Sequence, residues 1–146
     1  MSKIGEILRL NIILPIAEKV KGLKALQWYH RILDMNTWPK EQIIEWQNMQ
    51  LRDFVRHAYE HTSYYRELFD KLGLIPNDIQ TIDDLKKLPV LTKDIIRARF
   101  NDFVPDNIDQ IPHRKDSTGG TTGEPMHYLT SEDTWGYITA AKMVAW

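Results

Sequence analysis

Two periodicities of apolar residues run along the chain, and the pattern changes from one to the other near residue 111. From residue 39 onward, Ile43, Ile44, Leu51, Phe54, Val55 and Ala58 recur at helical spacing, which predicts a helix from Pro39 to Tyr59 with one apolar face. Pro39 suits its first turn, because that position has no use for a backbone N–H. Trp46 falls at the edge of the face and reads as core rather than as a stacking surface for a ligand. A second helix starts at Ser63, which can cap it. It carries Tyr64, Tyr65, Leu68, Phe69 and Leu72 on its apolar side and ends at Gly73. Thr81-Ile82-Asp83-Asp84 has the form of a capping box with Asp in place of Glu, and the short helix it begins must stop before Pro89. Thr92 caps another helix, from Lys93 to about Phe100, and a polar loop covers 102–110. From Ile111 the chain reads as extended up to Lys115 and again from Pro125 to Thr130. A last helix covers 131–146, capped by Thr130 or Ser131, with Glu132 and Asp133 in its first turn.

The first 33 residues alternate apolar and basic positions. Their most hydrophobic run, Leu10 to Ala17, is too short to span a bilayer, which takes about 20 residues. Glu6 and Arg9 lie close by and no small-residue cleavage site follows, which argues against a signal peptide. An amphipathic helix pair packed on the protein body is the favoured reading. The other is peripheral contact with a membrane surface, helped by Lys3, Arg9, Lys19, Lys21 and Lys24. The chain therefore divides into 1–35, apolar and basic helices; 36–110, a helical region; and 111–146, strand, loop, strand and helix. It holds no internal repeat and no low-complexity tract.

Composition narrows the function. A length of 146 residues suits one domain with a real core. A net charge of -1 removes any global electrostatic case for nucleic acid. The absence of cysteine excludes disulfides, thiolate zinc sites and a cysteine nucleophile, and it agrees with a cytoplasmic location. Lys86, Lys87, Lys93, Arg97 and Arg99 lie among Asp83, Asp84, Asp94 and Asp102, the composition of a solvated mixed-charge face. His57-Ala58-Tyr59-Glu60-His61 matches the zinc-protease pattern H-x-x-E-H, but no third ligand is offered, so two surface histidines at a helix end are expected. The sequence stops inside a helical pattern without a terminating glycine or proline. The expectation is the front part of a longer protein, one that would associate with itself when expressed alone.

The chemistry is concentrated between the two extended stretches. Ser117, Thr118, Gly119, Gly120, Thr121, Thr122 and Gly123 place three glycines and four hydroxyl residues in succession. Glycines let a ligand approach the main chain, successive N–H groups can form a nest for an anion, and hydroxyls add neutral donors. By composition alone such a run is more often a turn or linker. Strands on both sides and a helix just beyond favour a ligand loop. It is not a Walker A loop, because Glu124 and Pro125 follow the last glycine, and it lacks the G-x-G-x-x-G spacing of a dinucleotide fingerprint.

Ser117 to Pro125, Ser-Thr-Gly-Gly-Thr-Thr-Gly-Glu-Pro, resembles the phosphate-binding loop of the adenylate-forming enzymes. The likeness is to the phenylacetate–coenzyme A ligases and their capsular-polysaccharide-biosynthesis relatives. Tyr64 to Gly73 and Leu88 to Lys93 resemble the same family's amino-terminal region. The resemblance implies a mostly helical amino-terminal region followed by the first hairpin and helix of an α/β domain. It implies that residues 117–123 hold the β- and γ-phosphates of ATP while a small carboxylic acid attacks the α-phosphate, with Mg2+ present and coenzyme A as an acceptor. Glu124 departs from the pattern, since many adenylate-forming enzymes have Lys there; it reads as the mark of a subgroup. The parent protein would be a ligase, and the chain alone would be inert. The alternatives are a short non-catalytic helical interaction or membrane-associated module, and a phosphate-binding module without catalysis.

Overall fold

A computed structural model describes residues 12, 15 and 16, 24–119 and 125–145. It is mostly helical, with one two-stranded antiparallel sheet near the carboxyl end. The elements are α1 (Ala25–Met35), α2 (Lys40–His61), α3 (Ser63–Leu72), α4 (Lys93–Ala98), β1 (His113–Ser117), β2 (His127–Ser131) and α5 (Glu132–Ala145). Short 3-10 turns occupy Pro76–Asp78, Ile82–Lys87, Phe100–Phe103 and Ile108–Gln110. The described residues form two units, one that takes in 39–111 with 125 and 126, and one that joins α1 to β1, β2 and α5. Of the expected amino-terminal helix pair, the description covers α1; the remainder, apart from residues 12, 15 and 16, lies outside the described residues. Among those described, no helix is long and apolar enough to cross a membrane.

In the unit within 39–111, Pro39 opens α2 from an extended conformation, and its carbonyl accepts from the N–H groups of Gln42 and Ile43. The helix buries Asn48, Val55 and Ala58. Two residues of the expected apolar face are exposed instead, Ile44 at 43% and Phe54 at 65%. Phe54 sits one position, about 100° of helix rotation, away from Val55. Ile44 shares the buried stripe but stands one turn ahead of the packed part. Thr62, rather than Ser63, breaks the chain between α2 and α3. Its hydroxyl and its N–H both donate to the Ala58 carbonyl, at 2.6 and 3.0 Å. Ser63 is the first helical residue of α3, with its hydroxyl 3.4 Å from the Asp102 carbonyl. Gly73 ends α3 with φ 66, a left-handed turn that side-chain-bearing residues avoid, and Leu74 then donates to the Phe69 carbonyl at 2.9 Å.

Val55, Phe69 and Ile79 form the core, with Leu51, Tyr59, Tyr65, Leu74 and Leu88 packed against it. Burial raises the Tyr65 phenol above its usual range, with a smaller push from Tyr64. The capping box forms as expected but starts a 3-10 turn. The Asp84 carboxylate accepts from the N–H groups of Gln80 and Thr81, at 3.0 and 2.9 Å, and sits 2.7 Å from the Lys87 ammonium. Lys87 first, and then these donors, holds the Asp84 carboxyl far below the usual carboxylate range. Thr92 caps α4, and the helix gives way to the turn Phe100–Phe103. Lys86–Asp83 and Arg97–Asp94 are exposed pairs, as expected of a mixed-charge face. Arg99 differs: it is half-buried and lies 2.6 Å from both Glu67 and Asp102, with its guanidinium 5.0 Å from the Tyr64 ring. Tyr64 in turn stacks on Phe103. His57 and His61 lie with ring centroids 4.6 Å apart, and His61 Nδ1 is 2.7 Å from Asp106 Oδ1. Among the described residues no group of three or more His, Asp or Glu side chains could hold a metal ion.

In the other unit α1 packs on α5 through small residues. Ala25 and Ala140 are fully buried. A Cβ added at Gly136 would lie 3.2 Å from the Lys24 backbone nitrogen, so glycine permits the close approach. Trp28 meets Tyr137 edge to face at 5.3 Å, and Lys24 pairs with Asp133 at 3.2 Å. Ser131 caps α5, accepting from the Thr134 N–H at 3.1 Å.

Candidate functional site

The glycine-and-hydroxyl run connects the two strands of the hairpin. The register pairs His113 with Ser131, Arg114 with Thr130, Lys115 with Leu129, Asp116 with Tyr128 and Ser117 with His127. Pro112 lends its carbonyl to the Glu132 N–H at 2.9 Å, so pairing continues into the start of α5. The hairpin stem is therefore fastened at its base to a capped helix, and the loop leaves from its free end.

Alternation along the strands sorts the charges. Arg114, Asp116, Tyr128 and Thr130 share one face. There the Arg114 guanidinium lies 4.6 Å from the Trp135 ring of α5, and Thr130 is buried. His113, Lys115, Ser117, His127, Leu129 and Ser131 share the other. Lys115, Ser117 and His127 are exposed on it. Of His113, Arg114 and Lys115, which lead toward the loop, Arg114 stacks on Trp135, His113 is half-buried and Lys115 is exposed.

Ser117, Thr118 and Gly119 are placed at the loop entrance, all exposed. The Ser117 N–H donates to Asp116 Oδ1 at 2.8 Å. Gly119 is informative in a different way from Gly136. A Cβ at Gly119 would meet nothing within 4 Å among the described residues, and its φ is not positive. Neither close packing nor backbone geometry in the described part of the chain calls for glycine there. Gly120, Thr121, Thr122, Gly123 and Glu124 lie outside the described residues. The pattern of the sequence left His127 unremarked. Counting outward from the loop along two paired strands places it opposite Ser117, but that count needs a register, which sequence alone does not fix.

No family model matches the chain. Curated relatives do. The chain is 35% identical over 105 residues to the phenylacetate-coenzyme A ligase of Escherichia coli, covering 68% of this chain and 23% of the relative. It is 33% identical over 103 residues to that of Aromatoleum evansii, covering 66% and 22%. It is 29% identical over 96 residues to that of Thermus thermophilus, covering 63% and 21%. The chain thus spans about a quarter or less of the length of these relatives. Over that stretch the sequence is similar to the phenylacetate–coenzyme A ligases, consistent with a fragment of that family.

Proposed function

We propose that this chain is the amino-terminal, phosphate-holding part of an ATP-dependent ligase that activates a small carboxylic acid as its acyl-adenylate. The observation that carries the reading is the position of the run Ser117–Gly123: it joins the strands of a hairpin held to a capped helix, in a chain related to phenylacetate–coenzyme A ligases. Ser117, Thr118, Gly119, Gly120, Thr121, Thr122 and Gly123 take the β- and γ-phosphates. Main-chain N–H groups and hydroxyls donate to the phosphate oxygens. The lack of any described atom within 4 Å of a Cβ at Gly119 supports that use, since glycine there leaves room for a ligand to approach the backbone.

Activation of a carboxylate by ATP rests on positioning and on stabilising charge at the phosphates. The chain contributes the grip on the leaving pyrophosphate, and bound magnesium would neutralise part of its charge. Among the described residues no group of three or more His, Asp or Glu side chains could hold that metal. In this reading the acid pocket and the site for coenzyme A belong to the part of the relatives' length that the chain does not match. The hairpin and α5 open the α/β domain of an adenylate-forming enzyme, and the protein works in the cytoplasm.

The test is pyrophosphate–ATP exchange by the protein that carries this stretch, with a panel of aromatic and aliphatic acids. Exchange that depends on one acid and is abolished by Gly120→Val or Thr121→Val is the expected result. Exchange that is unaffected by both changes would remove the loop from the mechanism.

A further inference from the structure

The hairpin stem holds two exposed basic side chains, Lys115 and His127, without an ion-pair or ring partner among the described residues. Arg31 lies over Trp38, Arg52 pairs with Glu45, Arg56 with Asp53, Arg97 with Asp94, Arg99 with Glu67 and Asp102, and Arg114 stacks on Trp135. Lys115 and His127 have no such partner among the described residues, and both are exposed. The register puts His127 directly opposite Ser117, the residue that enters the loop, and Lys115 two positions back on the same face. Directly opposed residues have Cβ atoms about 5 Å apart and diagonal ones about 7–8 Å, within reach of one ligand for side chains this long. The face holds no carboxylate: its members are His113, Lys115, Ser117, His127, Leu129 and Ser131, whereas Asp116 falls on the opposite face with Arg114.

We propose that Lys115 and His127, with the Ser117 hydroxyl between them, form a second contact for the pyrophosphoryl group, on the hairpin stem beside the glycine loop. The ligand class is a diphosphate-bearing anion: the terminal phosphates of a nucleoside triphosphate, or free pyrophosphate. The inference rests on the loop being a phosphate cradle and adds to it a platform of side chains, where the loop supplies main-chain donors. Lys115 acts as a point charge with three donors and His127 as a directional donor. Together they would hold the product pyrophosphate as well as the triphosphate, and so govern its release.

The experiment uses the protein that carries this stretch and measures binding of ATP, pyrophosphate and AMP by titration calorimetry. The variants are Lys115→Gln, His127→Gln, Gly120→Val and, as a charge control on α4, Lys93→Gln. Circular dichroism melts confirm that each is folded. Loss of one charge-assisted contact weakens binding by about tenfold. Lys115→Gln and His127→Gln are each expected to do so for ATP and pyrophosphate while leaving AMP unchanged. If Gly120→Val weakens ATP but the stem variants match wild type, the platform is wrong and the cradle stands. If the stem variants weaken ATP and Gly120→Val does not, the stem is an anion site in its own right and the cradle falls. Equal losses for AMP and pyrophosphate, or a loss in Lys93→Gln as large as in Lys115→Gln, overturn the platform. Wild-type protein that binds neither ATP nor pyrophosphate overturns both ideas.

Discussion

The region within 39–111 and the hairpin with its loop use the same kinds of residue for different ends. In the first, Arg99 is pinned between Glu67 and Asp102, Lys87 sits on Asp84, and Gly73 occupies a left-handed turn. In the second, Lys115 and His127 project from one face of the strands without a carboxylate on it, and a Cβ at Gly119 would meet nothing within 4 Å among the described residues, at a φ that is not positive. In the first region Arg99, Lys87 and Gly73 are accounted for by the fold they make. Several residues of the second are not, and an unused donor set beside a loop of glycines and hydroxyls is what an external anion would require. Residues that the fold does not explain are the ones to assign to a ligand.

Phe69 is 2% exposed and packs with Val55 and Ile79. Phe69→Ala should cost about 3–5 kcal/mol through lost burial and the cavity left behind. Denaturant unfolding followed by circular dichroism measures it. A loss under about 1 kcal/mol would mean that this region is not held by that core and that its contrast with the hairpin is overdrawn.

Gly136→Val comes next. The new side chain would push against the Lys24 and Ala25 backbone, where even a Cβ is only 3.2 Å from the nearest nitrogen. Overpacking of this kind costs about 1–3 kcal/mol. The melt should shift, and the Trp28 fluorescence should change as its edge contact with Tyr137 is disturbed. A neutral result would show that α1 does not rest on α5 in solution.

These two sites also show what the sequence could and could not say. Helices α2 to α4 and the α5 cap were legible because each is announced locally: Pro39, Thr92, Ser131 and Gly73 act within one turn of themselves. The hairpin was legible from two extended runs around a turn-rich segment. Phe54 was misplaced because periodicity marks an apolar stripe but not how wide a neighbour covers it. The capping box at Thr81 was read correctly in chemistry and as the wrong kind of helix, since one donor–acceptor set serves a 3-10 turn as well. Within the candidate site the loop was visible as composition, whereas the pairing of Ser117 with His127 depends on register.

Ser131→Ala removes the hydroxyl that accepts from Thr134 and should cost about 1 kcal/mol, typical of a lost helix cap. Because the same residue closes the hairpin opposite His113, the change should also loosen the stem. Hydrogen exchange at the Thr134 and Ser131 amides would show both. Protection unchanged at Thr134 would mean that the cap contributes nothing.

Asp84 gives a pH signature in the other region. Its folded carboxyl is depressed by Lys87 and by the Gln80 and Thr81 N–H groups. A depressed carboxylate adds stability that is fully present above its unfolded value, near 4, and is lost as pH falls through the folded value. Wild type should therefore lose stability below about pH 4 more steeply than Asp84→Asn, which has no charge to lose. Parallel acid profiles for the two proteins would show that the carboxylate is not held as described.

The smallest expected effect on stability is the sharpest test of the contrast. Gly119→Ala adds a Cβ that meets nothing within 4 Å among the described residues, at a position without positive φ. Stability should stay within about 0.5 kcal/mol of wild type, as for a surface change away from packing. If the open space is where a triphosphate approaches the main chain, Gly119→Val should lower ATP affinity while leaving the melt alone. Gly136→Val should do the reverse, lowering the melt with no direct effect on the ligand. Matching stability losses at the two glycines would mean that Gly119 is packed by the chain itself, and the loop would then be a structural turn rather than a cradle.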